Sequence, residues 1–415
     1  MKIILSAFAC SPGQGSEEGV GWGVATGMAQ RHRVHVLTTP RYQPAIERYC
    51  AAHPNENLTF SYHDLSPAVR RCIVHSALWQ IYYYVWQRKI AGWAGACIRE
   101  FDPDLIHHIT YGRYWTPSSL SQLGKPFIWG PLGGGDRCPP EVRPSLSAAG
   151  RFSEFLRERA QAIARLDPAL KATARHAAIA LGGTDETGKA LRTLGAPRVE
   201  VRLTNAVDVD FIAEESSAPR TGAIFCSIGR LLEWKGQALT IRAFAAAKIP
   251  GSRLIILGEG PTLSRLQRLT RKLRLNGTVE FLGNQPRETV REWVRKSVAL
   301  VHPAVHDQAP TVVFEAMAVA TPVIGLALGG ITIQTTPQCA ILITPLSIEQ
   351  IVKELADAMR KIAGDRHLRH EMGLAGQQRL RAFFTWPSNV AALEQLYETL
   401  FRPSPTASPI ALGSR

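Results

Sequence analysis

The sequence predicts an α/β protein built from two Rossmann-like domains that face each other across a cleft. Three observations carry that prediction. Short apolar runs alternate with helix-forming stretches along the chain, as in parallel βαβ units. The alternation occurs in two series of similar size, separated by a shift to polar composition around Asp208–Gly222. In both series glycine-rich turns directly follow apolar runs, at the strand-to-helix turns where α/β sheets bind ligands.

Length and charge frame the rest. A chain of 415 residues exceeds one ordinary core, and two domains of roughly 150–200 residues are expected. A formal net charge of +14 favours an anionic partner such as a nucleotide, a nucleic acid, a phosphorylated lipid or a membrane surface. The seven cysteines are scattered without a C-x-x-C pair, which argues against a structural zinc site and fits a reducing compartment. No apolar run reaches the roughly 18 residues a transmembrane helix needs. Met1–Cys10 has an export-signal look, but its apolar core is short and its charge slight, so it reads as a buried strand.

Ile3–Ala9 is the first expected strand. The turn Cys10–Gly23 follows, leading into a helix that ends near Arg31, and Val34–Thr38 is the next strand. The spacing Gly13-x-Gly15-x-x-Glu18 lacks the third glycine of the dinucleotide fingerprint, and no acidic residue after the second strand is placed to take a ribose. A nicotinamide cofactor is therefore not expected. Ser16, Glu17, Glu18 and Trp22 crowd the turn with polar and stacking groups, so it is expected to face a sugar or phosphate; a ligand-free turn is the plain alternative.

Ala68–Phe101 holds Trp79, Tyr82, Tyr83, Tyr84, Trp86 and Trp93 with Arg70, Arg71, Arg88 and Lys89. Such a helix can lie at a membrane interface, rings at headgroup depth and cations on anionic phosphates. It can equally pack its rings against the sheet or a second copy. Asp104–Thr110 is a strand ending in His107 and His108. Neighbours on a strand point to opposite faces, so at most one of them meets a given ligand; either can also be a satisfied core histidine. Pro126–Gly135 is a strand and a glycine loop. Arg143–Arg175 is an Arg- and Ala-rich helical region whose charges are expected on a solvated face, with membrane or acceptor contact as the alternative. Ala177–Leu181 and Val199–Leu203 are strands, and Thr184 opens the helix between them.

The second series begins at Ala223–Ile228, and Gly229–Gly236 opens its first helix. Arg230 and Lys235 flank that helix start, where a diphosphate fits. Further strands are expected at Arg253–Leu257, Thr278–Leu282, Val298–Val301 and Val323–Ala327. The loop Pro303–Pro310 precedes a helix over Val312–Ala320, so two carboxylates, Asp307 and Glu315, bracket a helix N-terminus suited to a phosphate. Arg265–Arg274 and Arg287–Lys296 are basic helices with solvated faces. Helices over Ser347–Ile362, Arg366–Phe384 and Trp386–Phe401 follow, and the Pro- and Ser-rich end is expected to be disordered. The expected division is 1–208 and 209–385 for the two domains, 386–402 for a helix crossing back to the first, and 403–415 for the tail.

Cations and a helix start for phosphates, Glu315 for a ribose diol, and histidines with a glycine loop opposite suit an activated sugar nucleotide. ATP fits less well, because there is no G-x-x-x-x-G-K-[ST] loop and no evident carboxylate pair for magnesium. Over nearly its whole length the chain resembles the family 4 retaining glycosyltransferases of GT-B fold. The resemblance rests on Gly229-Arg230…Lys235-Gly236, on Asn205-Ala-Val-Asp208, and on Asp307-x₇-Glu315-Ala-Met-Ala with Pro322-Val-Ile. The Gly-Ser-Glu, His-His-Ile-Thr-Tyr and Trp-Gly-Pro-Leu-Gly-Gly-Gly elements are similar to a bacterial subgroup linked to surface polysaccharide and glycan assembly.

The resemblance implies a nucleotide-diphosphate sugar as donor, no metal and no other cofactor. It implies that Arg230 and Lys235 bind the diphosphate, Glu315 the ribose and Asp307 the donor sugar, with the N–H groups of Thr311 and Val312 on the β-phosphate. Leu282 and the Gly258–Gly260 turn, including Glu259, would border the base. Gly15 and Ser16 would form the N-domain glycine loop and bind the donor, and Glu17, Glu18 and Trp22 would lie toward the acceptor. His107 or His108 would sit near the sugar or the attacking hydroxyl. The family's usual signature is Glu-x₇-Glu; here Asp307 replaces the first member and Pro310 stands where glycine is usual, so donor choice is expected to reside there. The expected partner is a glycan or lipid-linked acceptor, reached from the cytoplasm at the inner face of the plasma membrane through 68–101, with no nucleic acid. The competing readings are a sugar-nucleotide epimerase on the same fold and a non-catalytic anion-binding protein.

Overall fold

The computed structural model describes residues 1–66, 79–212 and 222–402. Two parallel sheets organise it. The first holds β1 (Lys2–Ser6), β2 (Arg33–Thr38), β3 (Leu58–Tyr62), β4 (Leu105–His108), β5 (Phe127–Leu132), β6 (Ile179–Gly182) and β7 (Val199–Val201), in the order β3-β2-β1-β4-β5-β6-β7. The second holds β8 (Ile224–Ile228), β9 (Arg253–Leu257), β10 (Val279–Gly283), β11 (Ala299–His302), β12 (Val323–Leu326) and β13 (Ala340–Ile343), in the order β10-β9-β8-β11-β12-β13. Most of these strands are covered on both faces, so their apolar runs are continuous rather than alternating: β1, β4, β8 and β11 are almost wholly buried.

Two strands escaped the sequence reading. β3 is an edge strand, and its Leu-Thr-Phe-Ser-Tyr alternation is half-buried. β13 is only four residues long and lies at the opposite edge of its own sheet. The first strand is also shorter than expected: Ala7, Phe8 and Ala9 are buried but lie beyond the end of β1.

The chain passes between the sheets twice, near Val207 and near Thr385, and the two crossings pair. Val207 N–H donates to Phe384 O (2.9 Å), and Trp386 N–H donates to Val207 O (3.1 Å). The helix Trp386–Glu398 then packs on the helix Ser16–Met28, where Glu394 meets Arg31 at 2.8 Å and His32 at 2.7 Å. Leu393, Leu396 and Tyr397 join the apolar cluster beneath β1, β2 and β4.

The aromatic stretch is a helix, Trp79–Phe101, and its inward rings belong to the core. Tyr82, Tyr83 and Trp86 are buried around Phe8. These rings are therefore not free to enter a membrane, which corrects the interfacial reading for that face. Residues 68–78 of the expected membrane segment, the centre of the expected linker and the tail from residue 403 lie outside the described residues. No described helix is long and apolar enough to cross a membrane.

Candidate active site

Each sheet has one place where the strand order reverses direction, and ligands of open α/β sheets bind outside the strand ends there. In the first sheet it lies between β1 and β4, in the second between β8 and β11. The candidate residues gather at these two points.

At the β1–β4 point the loops are strained. Ser16 and Tyr111 both adopt left-handed backbone, with φ of 56° and 59°. Non-glycine residues held this way concentrate at ligand sites. Glu17 joins the two loops, its Oε2 accepting the Tyr111 N–H at 2.9 Å. Burial pushes its carboxyl up, and the Tyr111 N–H opposes that only in part. Tyr42 donates its hydroxyl to Glu18 at 3.2 Å, while Trp22 packs against Phe60 and Tyr49. Trp22 is thereby part of the packing under the helix Ser16–Met28. Arg113 was missed in the sequence because no motif marks it. Its guanidinium lies 5.5 Å from the Trp115 ring centre, is largely buried, and has no ion-pair partner among the described residues.

Neither histidine is open to a sugar. His107 is fully buried, with Nδ1 2.6 Å from the Tyr397 hydroxyl and Nε2 2.6 Å from Gly130 O. Both ring nitrogens are occupied, so this residue ties the last helix to the sheet, and the expectation of a role at the sugar is corrected. His108 points the other way, Nε2 3.0 Å from the Tyr83 hydroxyl, and is equally buried. Burial drops these histidines to about 4 and about 3, so both are neutral near pH 7.

At the β8–β11 point, Gly236 is left-handed (φ 76°) and its missing Cβ would come 2.1 Å from Pro303 O, so the turn after β8 lies directly on the loop after β11. That contact sets Lys235 against Asp307, and the two form an ion pair. His302 at the end of β11 brings Nε2 to 3.2 Å from the same carboxylate. Burial alone would raise the Asp307 carboxyl; the His302 hydrogen bond and the Lys235 charge together hold it below the ordinary range. Asp307 thus serves as counter-ion to Lys235, a role its place in the motif does not show. Arg230 is exposed at the start of the turn.

The helix Thr311–Ala318 starts at Pro310, and its first N–H groups, those of Thr311 and Val312, lack partners within the helix. Glu315 sits one turn on. It is largely buried and forms no hydrogen bond among the described residues; its charged neighbour is Arg287 at 3.8 Å. Burial pushes its carboxyl up, with Arg287 opposing. Gly258, Glu259 and Leu282 lie at the ends of β9 and β10, where Leu231 N–H donates to Glu259 O (2.8 Å) and ties that turn to the one after β8. Among the described residues no group of three or more His, Cys, Asp or Glu side chains is placed to share a metal ion.

The two halves meet through the loop that carries Asp307. His306 Nε2 lies 2.8 Å from Glu154 Oε1 on the helix Ala148–Ala164, and its ring stacks on Trp234. The Gln308 side chain enters a slot between Gly133 and Gly183, where added Cβ atoms would come within 1.6 Å and 2.2 Å of it. The glycine run after β5 therefore receives a side chain from the other half. Glu233 Oε2 also accepts the Ser147 N–H at 3.1 Å.

Two facing parallel sheets with reversal points turned to a common cleft define the GT-B fold, and solved structures match it. A sucrose-phosphate synthase from Thermosynechococcus elongatus aligns over 96% of this chain and 99% of its own, with a TM-score of 0.65 at 19% identity. The Anabaena HepE protein, solved with UDP and glucose, aligns over 96% and 100%, with a TM-score of 0.61 at 16% identity. Residues 208–379 match the family described as Glycosyl transferases group 1, so the chain carries a domain of that kind in its second half. Among curated relatives, a D-inositol 3-phosphate glycosyltransferase from Kribbella flavida is 27% identical over 53% of this chain and 57% of its own length. An uncharacterized glycosyltransferase from Methanocaldococcus jannaschii is 33% identical over 29% and 32%. These matches span between about a third and somewhat over half of those relatives.

Proposed function

We propose that the protein is a retaining glycosyltransferase of family 4 type, moving a hexose from a nucleotide-diphosphate sugar to a hydroxyl of a glycan or lipid-linked acceptor in surface polysaccharide or glycolipid assembly. The observation that carries this reading is the β8–β11 reversal point. A lysine neutralised only by a nearby aspartate, an open helix N-terminus and an unbonded, largely buried glutamate lie together there. A diphosphate supplies the charge that Lys235 and the helix start lack, and a ribose diol supplies the donors that Glu315 lacks.

Lys235 and Arg230 stabilise the charge that grows on the diphosphate as the bond from the anomeric carbon to the phosphate oxygen breaks. That electron pair leaves on the diphosphate. The acceptor hydroxyl attacks the anomeric carbon from the same face, and its proton departs to a phosphate oxygen. Asp307, released as Lys235 turns to the phosphate, is free to take a hydroxyl of the hexose. The acceptor lies at the β1–β4 point, between Glu17 and Arg113, with Glu18 at its rim and Gly15 and Ser16 toward the donor; Arg113 suits an acceptor that carries an anionic group.

A panel of nucleotide sugars, scored by thermal shift and slow donor hydrolysis, tests the reading. One nucleotide class is expected to raise the melting temperature, and Lys235→Ala and Glu315→Ala are each expected to weaken that shift. Unchanged nucleotide binding in both variants would remove the site assignment.

A further inference from the structure

The helix Ala148–Ala164 is inverted relative to an ordinary surface helix. Glu154, Arg157 and Gln161 face the protein. Glu154 meets His306 at 2.8 Å, Gln161 donates to Gly134 O at 2.9 Å, and Glu158 pairs with Arg143. Its apolar side chains face outward: Phe152 is 61% exposed, Phe155 48%, Leu156 50% and Ile163 69%, and Leu166 just beyond its end is 73% exposed. At 100° per residue the four helical positions fall within an arc of roughly 100°, one continuous stripe. A stripe of this kind on a water-soluble surface marks an interaction site.

Charge narrows the occupant. Glu154 pairs inward with His306 and Glu158 pairs with Arg143, and the exposed charges of the helix are Arg151 and Arg159. Arg159 lies within the stripe, its guanidinium 4.9 Å from the Phe155 ring centre. The surface continues onto the outer face of the helix Trp79–Phe101. Tyr84 donates to Asp167 at 2.9 Å beside Leu166, and Ile81 is 54% exposed one turn away. Arg88 and Lys89 are exposed on that same helix. Exposed apolar and aromatic side chains, edged by arginine and lysine with no exposed acid on Ala148–Ala164, complement an anionic lipid surface.

We propose that Ala148–Ala164 lies in the headgroup layer of an anionic membrane, sinking Phe152, Phe155, Leu156 and Ile163 among the acyl chains while Arg151 and Arg159 stay at the phosphates. The inward face of the same helix borders the cleft through Glu154 and Gln161. Docking therefore brings the lipid surface beside the loops that follow β5 and β11. The proposal stands independently of the transferase reading, because it concerns adsorption alone.

Flotation of the full chain with vesicles of phosphatidylcholine, with and without phosphatidylglycerol, tests it. The wild type is expected to float with the anionic vesicles and to be released by salt. Leu156→Asp with Ile163→Asp is expected to lower the bound fraction at least about tenfold, since each buried apolar side chain contributes a comparable factor. Arg151→Glu with Arg159→Glu is expected to lose the preference for phosphatidylglycerol. Leu346→Asp, an equally exposed leucine in the other half, is the control and is expected to float as the wild type does. Circular dichroism confirms that each variant is folded. Absence of flotation, flotation unchanged in Leu156→Asp with Ile163→Asp, or a dimer that this pair abolishes without any flotation would overturn the proposal.

Discussion

His306 of the donor-side loop and Glu154 of the facing half hold each other at 2.8 Å, with Arg157 at 3.4 Å from the same carboxylate. The loop that carries Asp307 is thus anchored by the opposite half of the molecule. Burial raises the Glu154 carboxyl, but His306 and Arg157 outweigh it and hold it below the ordinary range. A depressed carboxylate contributes stability above its unfolded value, and that contribution is lost as pH falls through the folded one. Glu154→Gln is therefore expected to cost about 1–3 kcal/mol near neutral pH and progressively less in acid. Denaturant midpoints of wild type and variant across pH check this; a cost independent of pH would contradict it.

The Lys235–Asp307 pair makes nucleotide binding a competition. Asp307→Asn leaves a mostly buried ammonium without its counter-ion and is expected to destabilise the free protein by about 1–3 kcal/mol. A bound diphosphate replaces the lost charge. The melting shift produced by saturating nucleoside diphosphate is then expected to be larger in Asp307→Asn than in wild type. Equal or smaller shifts would show that Lys235 does not meet the phosphate.

Glu315 is expected to oppose stability and serve binding. Its carboxyl is raised by burial, so it favours folding while protonated and loses that contribution as pH climbs through the raised value. Glu315→Gln is expected to melt at or above the wild-type temperature near pH 7 while binding nucleoside diphosphate about tenfold more weakly, the loss expected for a charge-assisted hydrogen bond. Calorimetry alongside thermal melts separates the two effects.

His107 and Tyr397 are expected to behave as a structural pair. Tyr397→Phe and His107→Gln should each cost about 1–2 kcal/mol, with a combined cost well below the sum because they remove one contact. Turnover of the folded fraction should be little changed. A large loss of turnover in His107→Gln without loss of stability would return His107 to the chemistry.

The two-sheet fold was legible because buried parallel strands are apolar throughout and glycine turns punctuate them. The edge strands Leu58–Tyr62 and Ala340–Ile343 were not, since edge strands are short or half-polar. Within the site, motif spacing marked Lys235, Asp307 and Glu315. It could not show that Asp307 is engaged by Lys235 and His302, because that contact depends on how closely two backbone loops approach around Gly236. Their strand end left one of the adjacent histidines free to face a ligand; a partner 290 residues away, Tyr397, decides the matter for His107. Gln308 in its glycine slot and Arg113 were invisible for the same reason. The Trp and Tyr content of the Trp79–Phe101 helix suited a membrane face and a core face equally, and Tyr82, Tyr83 and Trp86 turn inward, whereas the Arg-rich appearance of Ala148–Ala164 concealed an exposed apolar stripe.

The most direct test of the central claim follows the anomeric proton by NMR while the protein slowly hydrolyses an α-configured nucleotide sugar. The expected result is that the α-hexose forms first, at a rate that falls sharply in Lys235→Ala. Formation of the β-hexose first, or hydrolysis indifferent to Lys235, would contradict it.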